Sequence, residues 1–131
     1  MVGASSKLCA ASVAIALALG CAMQTPPATV HCDQSFDGRD VALTEHQPLD
    51  LALPENPTTG FRWQLRTDGA PALAARGQSF DAPSRVGEGG VRHFQFEAVK
   101  AGAARLELEY RRAWEDKPPA RTFTLSVRVA P

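Results

Sequence analysis

The stretch Leu49-Asp50-Leu51-Ala52-Leu53-Pro54-Glu55-Asn56-Pro57-Thr58-Thr59-Gly60-Phe61-Arg62-Trp63-Gln64-Leu65 decides the fold class. Leu49, Leu51 and Leu53 alternate with Asp50 and Ala52, and Phe61, Trp63 and Leu65 alternate with Arg62 and Gln64. A period of two sends successive side chains to opposite faces, so each run reads as a strand with one face in a core and one toward solvent. The polar segment between them reads as a turn. Pro57 fixes its own φ and pushes Asn56 toward extended geometry, while Gly60 permits a backbone angle that a Cβ would resist. Two threonines on so rigid a loop suit it to holding a partner as well as to reversing the chain.

The same period continues along the chain. Phe94, Phe96 and Ala98 share one face, Leu106, Leu108 and Tyr110 another, and Phe123, Leu125, Val127 and Val129 a third. Strands are expected near 40–45, 48–53, 61–66, 78–81, 91–99, 104–111 and 121–129, and nothing comparable argues for a helix. About seven short strands separated by turn residues imply an all-β domain, an immunoglobulin-like antiparallel β-sandwich without the cysteine and tryptophan framework of antibody domains. About a dozen large inward side chains, at roughly 1.5–3 kcal/mol of burial each, suffice to stabilise such a domain without metal or disulfide.

Composition narrows the function. The 131 residues are 44% hydrophobic and 21% charged, which fits one globular domain. Fourteen basic and fourteen acidic residues cancel, so no net field favours nucleic acid or an anionic membrane surface. Recognition is expected to be local and shape-based.

The N-terminus follows the grammar of an export signal, with Lys7, an apolar run from Leu8 to Leu19, and then Gly20, Cys21 and Ala22. Leu17-Ala18-Leu19-Gly20-Cys21 resembles a bacterial lipoprotein box, and the favoured reading is lipidation at Cys21. The expected organisation is a signal peptide over 1–21, a tether over 22–35 and a sandwich domain over 36–131. Such a chain is a periplasmic, outer-membrane-anchored lipoprotein that meets the membrane only through its lipid. The alternative is ordinary signal cleavage and secretion, with Cys21 free to bridge to Cys32 in an oxidising compartment.

Because successive antiparallel strands reverse direction, every second connection of a sandwich falls at the same end. Asn56-Pro57-Thr58-Thr59-Gly60, Gly87-Glu88-Gly89-Gly90 and Arg112-Ala113-Trp114 occupy such alternate connections, whereas the turn at Lys100-Ala101-Gly102 falls at the other end. Three unusual loops on one tip of a stiff body make a binding surface. The glycine cluster lacks the spacing and following helix of a phosphate loop, but its bare backbone could approach a partner closely. Arg112 and Trp114 are residue types enriched among interface hot spots.

Enzymatic readings are weaker. His31, His46 and His93 are scattered without metal-ligand spacing, so neither a metal nor a cofactor is expected. His31 beside Cys32 does not make a nucleophile and its base, because neighbours on an extended strand point to opposite faces; the pair reads as part of the tail. Glu107 and Glu109 continue into Arg105 and Arg111, a solvated and charge-balanced sheet surface.

The three loop motifs, in this order and spacing, resemble the chagasin-like family of cysteine protease inhibitors. Its pattern is Asn-Pro-Thr-Thr-Gly followed by an aromatic, then Gly-x-Gly-Gly, then Arg-Pro-Trp. Asn56 to Phe61 and Gly87 to Gly90 match completely, and the third motif carries Ala113 where proline is usual. The resemblance covers roughly residues 40–131. It implies a monomeric binder, not an enzyme, whose sandwich plugs the active-site cleft of papain-like cysteine proteases reversibly and without a covalent bond. The first loop would enter beside the catalytic cysteine and histidine through Asn56, Pro57, Thr58, Thr59, Gly60 and Phe61, with Thr58 and Thr59 offering hydroxyls and main-chain groups. Gly87, Glu88, Gly89 and Gly90 would add a backbone contact, and Arg112 with Trp114 an aromatic one. A binding or adhesion module that uses the same tip on a noncatalytic envelope or host partner is the alternative.

Overall fold

The computed structural model describes residues 27–131, so the signal peptide, Cys21 and the first part of the tether lie outside the described residues. Eight strands form two sheets of four: β1 (Val30–Cys32), β2 (Arg39–Thr44), β3 (Pro48–Glu55), β4 (Phe61–Asp68), β5 (Leu73–Asp81), β6 (Gly90–Ala98), β7 (Gly102–Arg112) and β8 (Arg121–Ala130). The first sheet has the order β1-β3-β6-β5 and the second β2-β8-β7-β4. No α-helix occurs among the described residues.

The alternation of the sequence becomes the core of the sandwich. Leu49, Leu51, Leu53, Phe94 and Phe96 of the first sheet and Trp63, Leu106, Leu108, Phe123, Leu125, Val127 and Val129 of the second belong to one buried cluster. The opposite faces carry the charges. Arg105 meets Glu107 at 3.1 Å and Arg111 meets Glu109 at 3.2 Å, the balanced sheet surface that their alternation implies.

Three features differ from the expected fold. The segment 30–35 is not tether: Val30 to Cys32 pair with Leu49 to Leu51 as β1, and Asp33 caps a short turn over Gln34–Phe36. Cys32 joins the core while His31 faces outward, as neighbours on a strand must. A three-residue strand is too short to display a period, which is why the sequence hides it. The sheets are not wholly antiparallel either, because β1 runs parallel to β3 and β2 parallel to β8. Finally, β5 begins at Leu73 rather than near residue 78. It is an edge strand with a register shift between Ala75 and Gly77, and most of its side chains are exposed, so apolar alternation is absent.

Strand direction fixes the poles. β3 is antiparallel to β6 and β6 to β5; β4 is antiparallel to β7 and β7 to β8. The connections 56–60, 82–89 and 113–120 therefore leave the sandwich at one end. The turn between β6 and β7 is at the other, where the Val99 amide donates to the Ala72 carbonyl at 2.8 Å.

Candidate functional site

Asn56 organises the first loop. It is extended at φ −116°, and its Oδ1 accepts hydrogen bonds from the Thr58 amide at 3.1 Å and the Thr58 hydroxyl at 2.6 Å, capping a single 3-10 turn over Pro57–Thr59. The Thr59 hydroxyl donates to the Asn56 carbonyl at 2.7 Å and accepts from the Phe61 amide at 3.3 Å. Both threonines are exposed, yet both hydroxyl protons are engaged inside the loop. With those protons engaged, the exposed groups of the two threonines are their methyl groups and acceptor oxygens. Gly60 is required twice over. Its φ of +83° disfavours a side chain, and an added Cβ would overlap the Trp114 indole.

Phe61 begins β4 as support rather than as tip. It is half-buried, stacked on Tyr110 with ring centroids 5.4 Å apart, and the Arg112 guanidinium lies 4.3 Å from its own ring centre. Tyr110 also packs on Trp63 at 4.9 Å and accepts the Asn56 amide on its hydroxyl at 3.2 Å. Arg112 donates from Nε to the Thr59 carbonyl at 2.9 Å and from Nη1 to Glu115 at 2.8 Å. That bond, helped by Lys117, holds the Glu115 carboxyl below its ordinary value. The third loop thus grips the first, and Trp114 caps the junction while remaining 71% exposed.

The second loop is tied more lightly. Asn56 Nδ2 donates to the Gly87 carbonyl at 3.2 Å, and Gly87 takes φ +89°. Glu88 and Gly89 are exposed, but Gly90 is buried at the start of β6, where a Cβ would overlap the Asp81 carbonyl and the Phe80 ring. Close packing within the sandwich accounts for that glycine, so the accessible part of the loop ends at Gly89. At its apex Val86 is fully exposed. Among the described residues, Val86 and Trp114 are the exposed large hydrophobics, and both lie on this pole.

Beneath the first loop is a charge the sequence reading overlooks. Glu55 is 1% exposed; its Oε1 accepts the Trp63 amide at 2.9 Å, and its Oε2 accepts Arg92 Nε at 3.1 Å and Nη2 at 2.8 Å. The Arg92 guanidinium in turn lies over the Phe80 ring, 5.1 Å from its centre. A signal does exist: Glu55 is in phase with Leu49, Leu51 and Leu53, and Arg92 with Phe94 and Phe96, so opposite charges occupy inward positions of paired strands. Val86, flanked by Arg85 and Gly87, carries no such signal.

Two of the histidines converge on the outer face of the first sheet. His93 Nδ1 lies 3.0 Å from Asp50 and its Nε2 2.8 Å from Asp81, while His31 Nδ1 lies 3.5 Å from Asp50. Partial burial opposes the His93 cation, but hydrogen bonds to Asp50 and Asp81 outweigh it and raise the pKa. Cys32 goes the other way: burial, then Asp33 and Asp50, pushes its thiol up to about 11, the reverse of an activated nucleophile.

An all-β sandwich that offers three cross-bonded loops and two exposed apolar side chains at one pole belongs to the class of loop-presenting scaffolds. Residues 42–127 match the family model described as Chagasin family peptidase inhibitor I42, and the chain belongs to that family. It is 30% identical to Amoebiasin-1 of Entamoeba histolytica over 90 residues, spanning 68% of this chain and 88% of the relative. Chagasin of Trypanosoma cruzi is 29% identical over 87 residues, 62% of this chain and 79% of its own. The fold matches the crystal structure of the cysteine protease inhibitor EhICP2 from Entamoeba histolytica with a TM-score of 0.74, at 22% identity, over 82% of this chain and all of that one. These homologues are inhibitors and not enzymes.

Proposed function

We propose that this chain inhibits papain-like cysteine proteases by inserting the first loop into the active-site cleft, with the second and third loops seated on either side. The observation that carries the reading is the cross-bonding of all three loops at one pole, through Asn56 to Gly87 and Arg112 to Thr59, beside the exposed Trp114 and Val86. A surface tied together before it meets a partner loses little conformational freedom on binding. The hydrogen-bonded turn at Pro57–Thr59 differs from an extended substrate and aligns no peptide carbonyl for a thiolate. Inhibition is therefore reversible and steric. A contact of about 800 Å² per partner is ordinary for protease inhibitors.

Export as a lipoprotein anchored at Cys21 is part of the same proposal, supported by the sequence of the N-terminal segment. Intact mass of the mature protein tests it, an unmodified Cys21 being the contrary result. For the inhibitory role, submicromolar domain is titrated into papain cleaving a fluorogenic peptide. Hydrolysis falls with a saturable dose response and recovers on dilution; unaffected hydrolysis with a folded domain would contradict the role.

A further inference from the structure

We infer that Glu55 is the positioning residue of the loop pole, its buried carboxylate fixing the β4 stem of the first loop against the β3, β5 and β6 stems of the facing sheet. The inference rests on the inhibitory reading above for its consequence, but its geometry stands apart. β3 and β4 flank the first loop yet lie in different sheets, so no ladder of backbone bonds sets the spacing of its stems. Two bonds do so instead: the Trp63 indole donates to the Pro54 carbonyl at 2.8 Å, and the Trp63 amide donates to Glu55 Oε1 at 2.9 Å. The other oxygen, Oε2, reaches β6 through Arg92, which covers Phe80 at the end of β5. Phe80 and Arg92 belong to the two stems of the second loop, facing each other in register. Backbone ladders already hold β3, β6 and β5 together, and the one carboxylate ties β4 of the facing sheet to that group.

Stability alone does not explain an acid at this position. The alternation Leu49, Leu51, Leu53 calls for a further apolar residue at 55, and well-packed apolar replacements of buried ion pairs are commonly neutral or stabilising. Removing one partner is costly because it strands the other charge. A directional, fully satisfied pair, in contrast, fixes an orientation that apolar contact leaves free. No buried side-chain polar atom among the described residues lacks a hydrogen-bond partner, so the pair is complete as it stands.

The test separates orientation from stability. Glu55→Gln removes the charge while leaving one oxygen for the Trp63 amide, and the double variant Glu55→Gln with Arg92→Met also removes the stranded guanidinium. The double variant is expected to recover most of the melting temperature lost in the single one, yet to inhibit papain at least about tenfold more weakly than the wild type. Recovery of inhibition together with stability would overturn the positioning role. Hydrogen exchange on the free wild-type chain tests the same idea without protease or variant. The Trp63 amide is expected to be as protected as core-strand amides, and exchange as fast as at the exposed loop residues Val86 or Gly89 would overturn it. If the wild type fails to inhibit while this protection holds, the inhibitory reading fails and the geometric one survives.

Discussion

The middle of the sandwich and its loop pole use the same inward positions for different work. In the middle, Leu51, Leu108, Phe94 and Phe123 fill the space between the sheets and need only shape. Toward the pole the inward phase continues through Glu55, Arg92, Trp63 and Tyr110, and each of these spends a polar group on holding a loop stem or its neighbour. The contrast teaches that the core ends where orientation begins to matter more than volume. Apolar packing is non-directional, whereas hydrogen bonds and ion pairs set angles.

The comparison breaks most visibly in the middle. Phe94→Ala deletes a ring that is 1% exposed and should cost about 3–5 kcal/mol of unfolding free energy, read from denaturant midpoints. The protein that remains folded should inhibit normally. At the pole the ranking reverses: Trp114→Ala should leave the melting temperature nearly unchanged while weakening inhibition by about 2 kcal/mol, roughly 30-fold. Equal loss of stability and inhibition in either variant would erase the distinction. Gly60→Ala lies between them, with strain of about 1–2 kcal/mol from its left-handed backbone and a displaced indole. Trp114 fluorescence and inhibition should change together.

A smaller effect sharpens the contrast on the outer face. His93 is held by Asp50 and Asp81, with His31, Arg76 and Glu97 lining the same groove, and Asp81 is the last residue before the second loop. Its folded pKa is raised above the ordinary 6.5, so its contribution to stability is fully present below that value and is lost as pH rises through the folded pKa. His93→Gln should flatten the decline in melting temperature over this window; an unaltered pH profile would count against the clasp. Smallest of all, Ala113→Pro should stabilise by about 0.4–1 kcal/mol if the site accepts its φ, measured by denaturant titration.

Alternation makes a strand legible wherever one face is apolar, which is why β3, β4, β6, β7 and β8 can be read directly from the sequence. β1 is too short for a period, and the exposed edge strand β5 has no apolar face to reveal it. The loop motifs are readable because glycine and proline announce backbone geometry, and their convergence follows from strand reversal alone. Pairings across the fold are less accessible. His31 and His93 meet at Asp50, and Glu55 meets Arg92, only because strands distant in sequence lie side by side. The inward phase of Glu55 and Arg92 marks both as unusual, but register is needed to name them as partners.

Hydrogen exchange of the chain bound to active-site-blocked and unblocked papain tests the central claim most directly. With unblocked enzyme, protection is expected at 56–60, 86–89 and 112–114 and not at the groove around His31 and His93, and occupancy of the protease cleft by a covalent blocker should abolish it. Protection centred on the outer sheet face, or undiminished after the cleft is blocked, would contradict it.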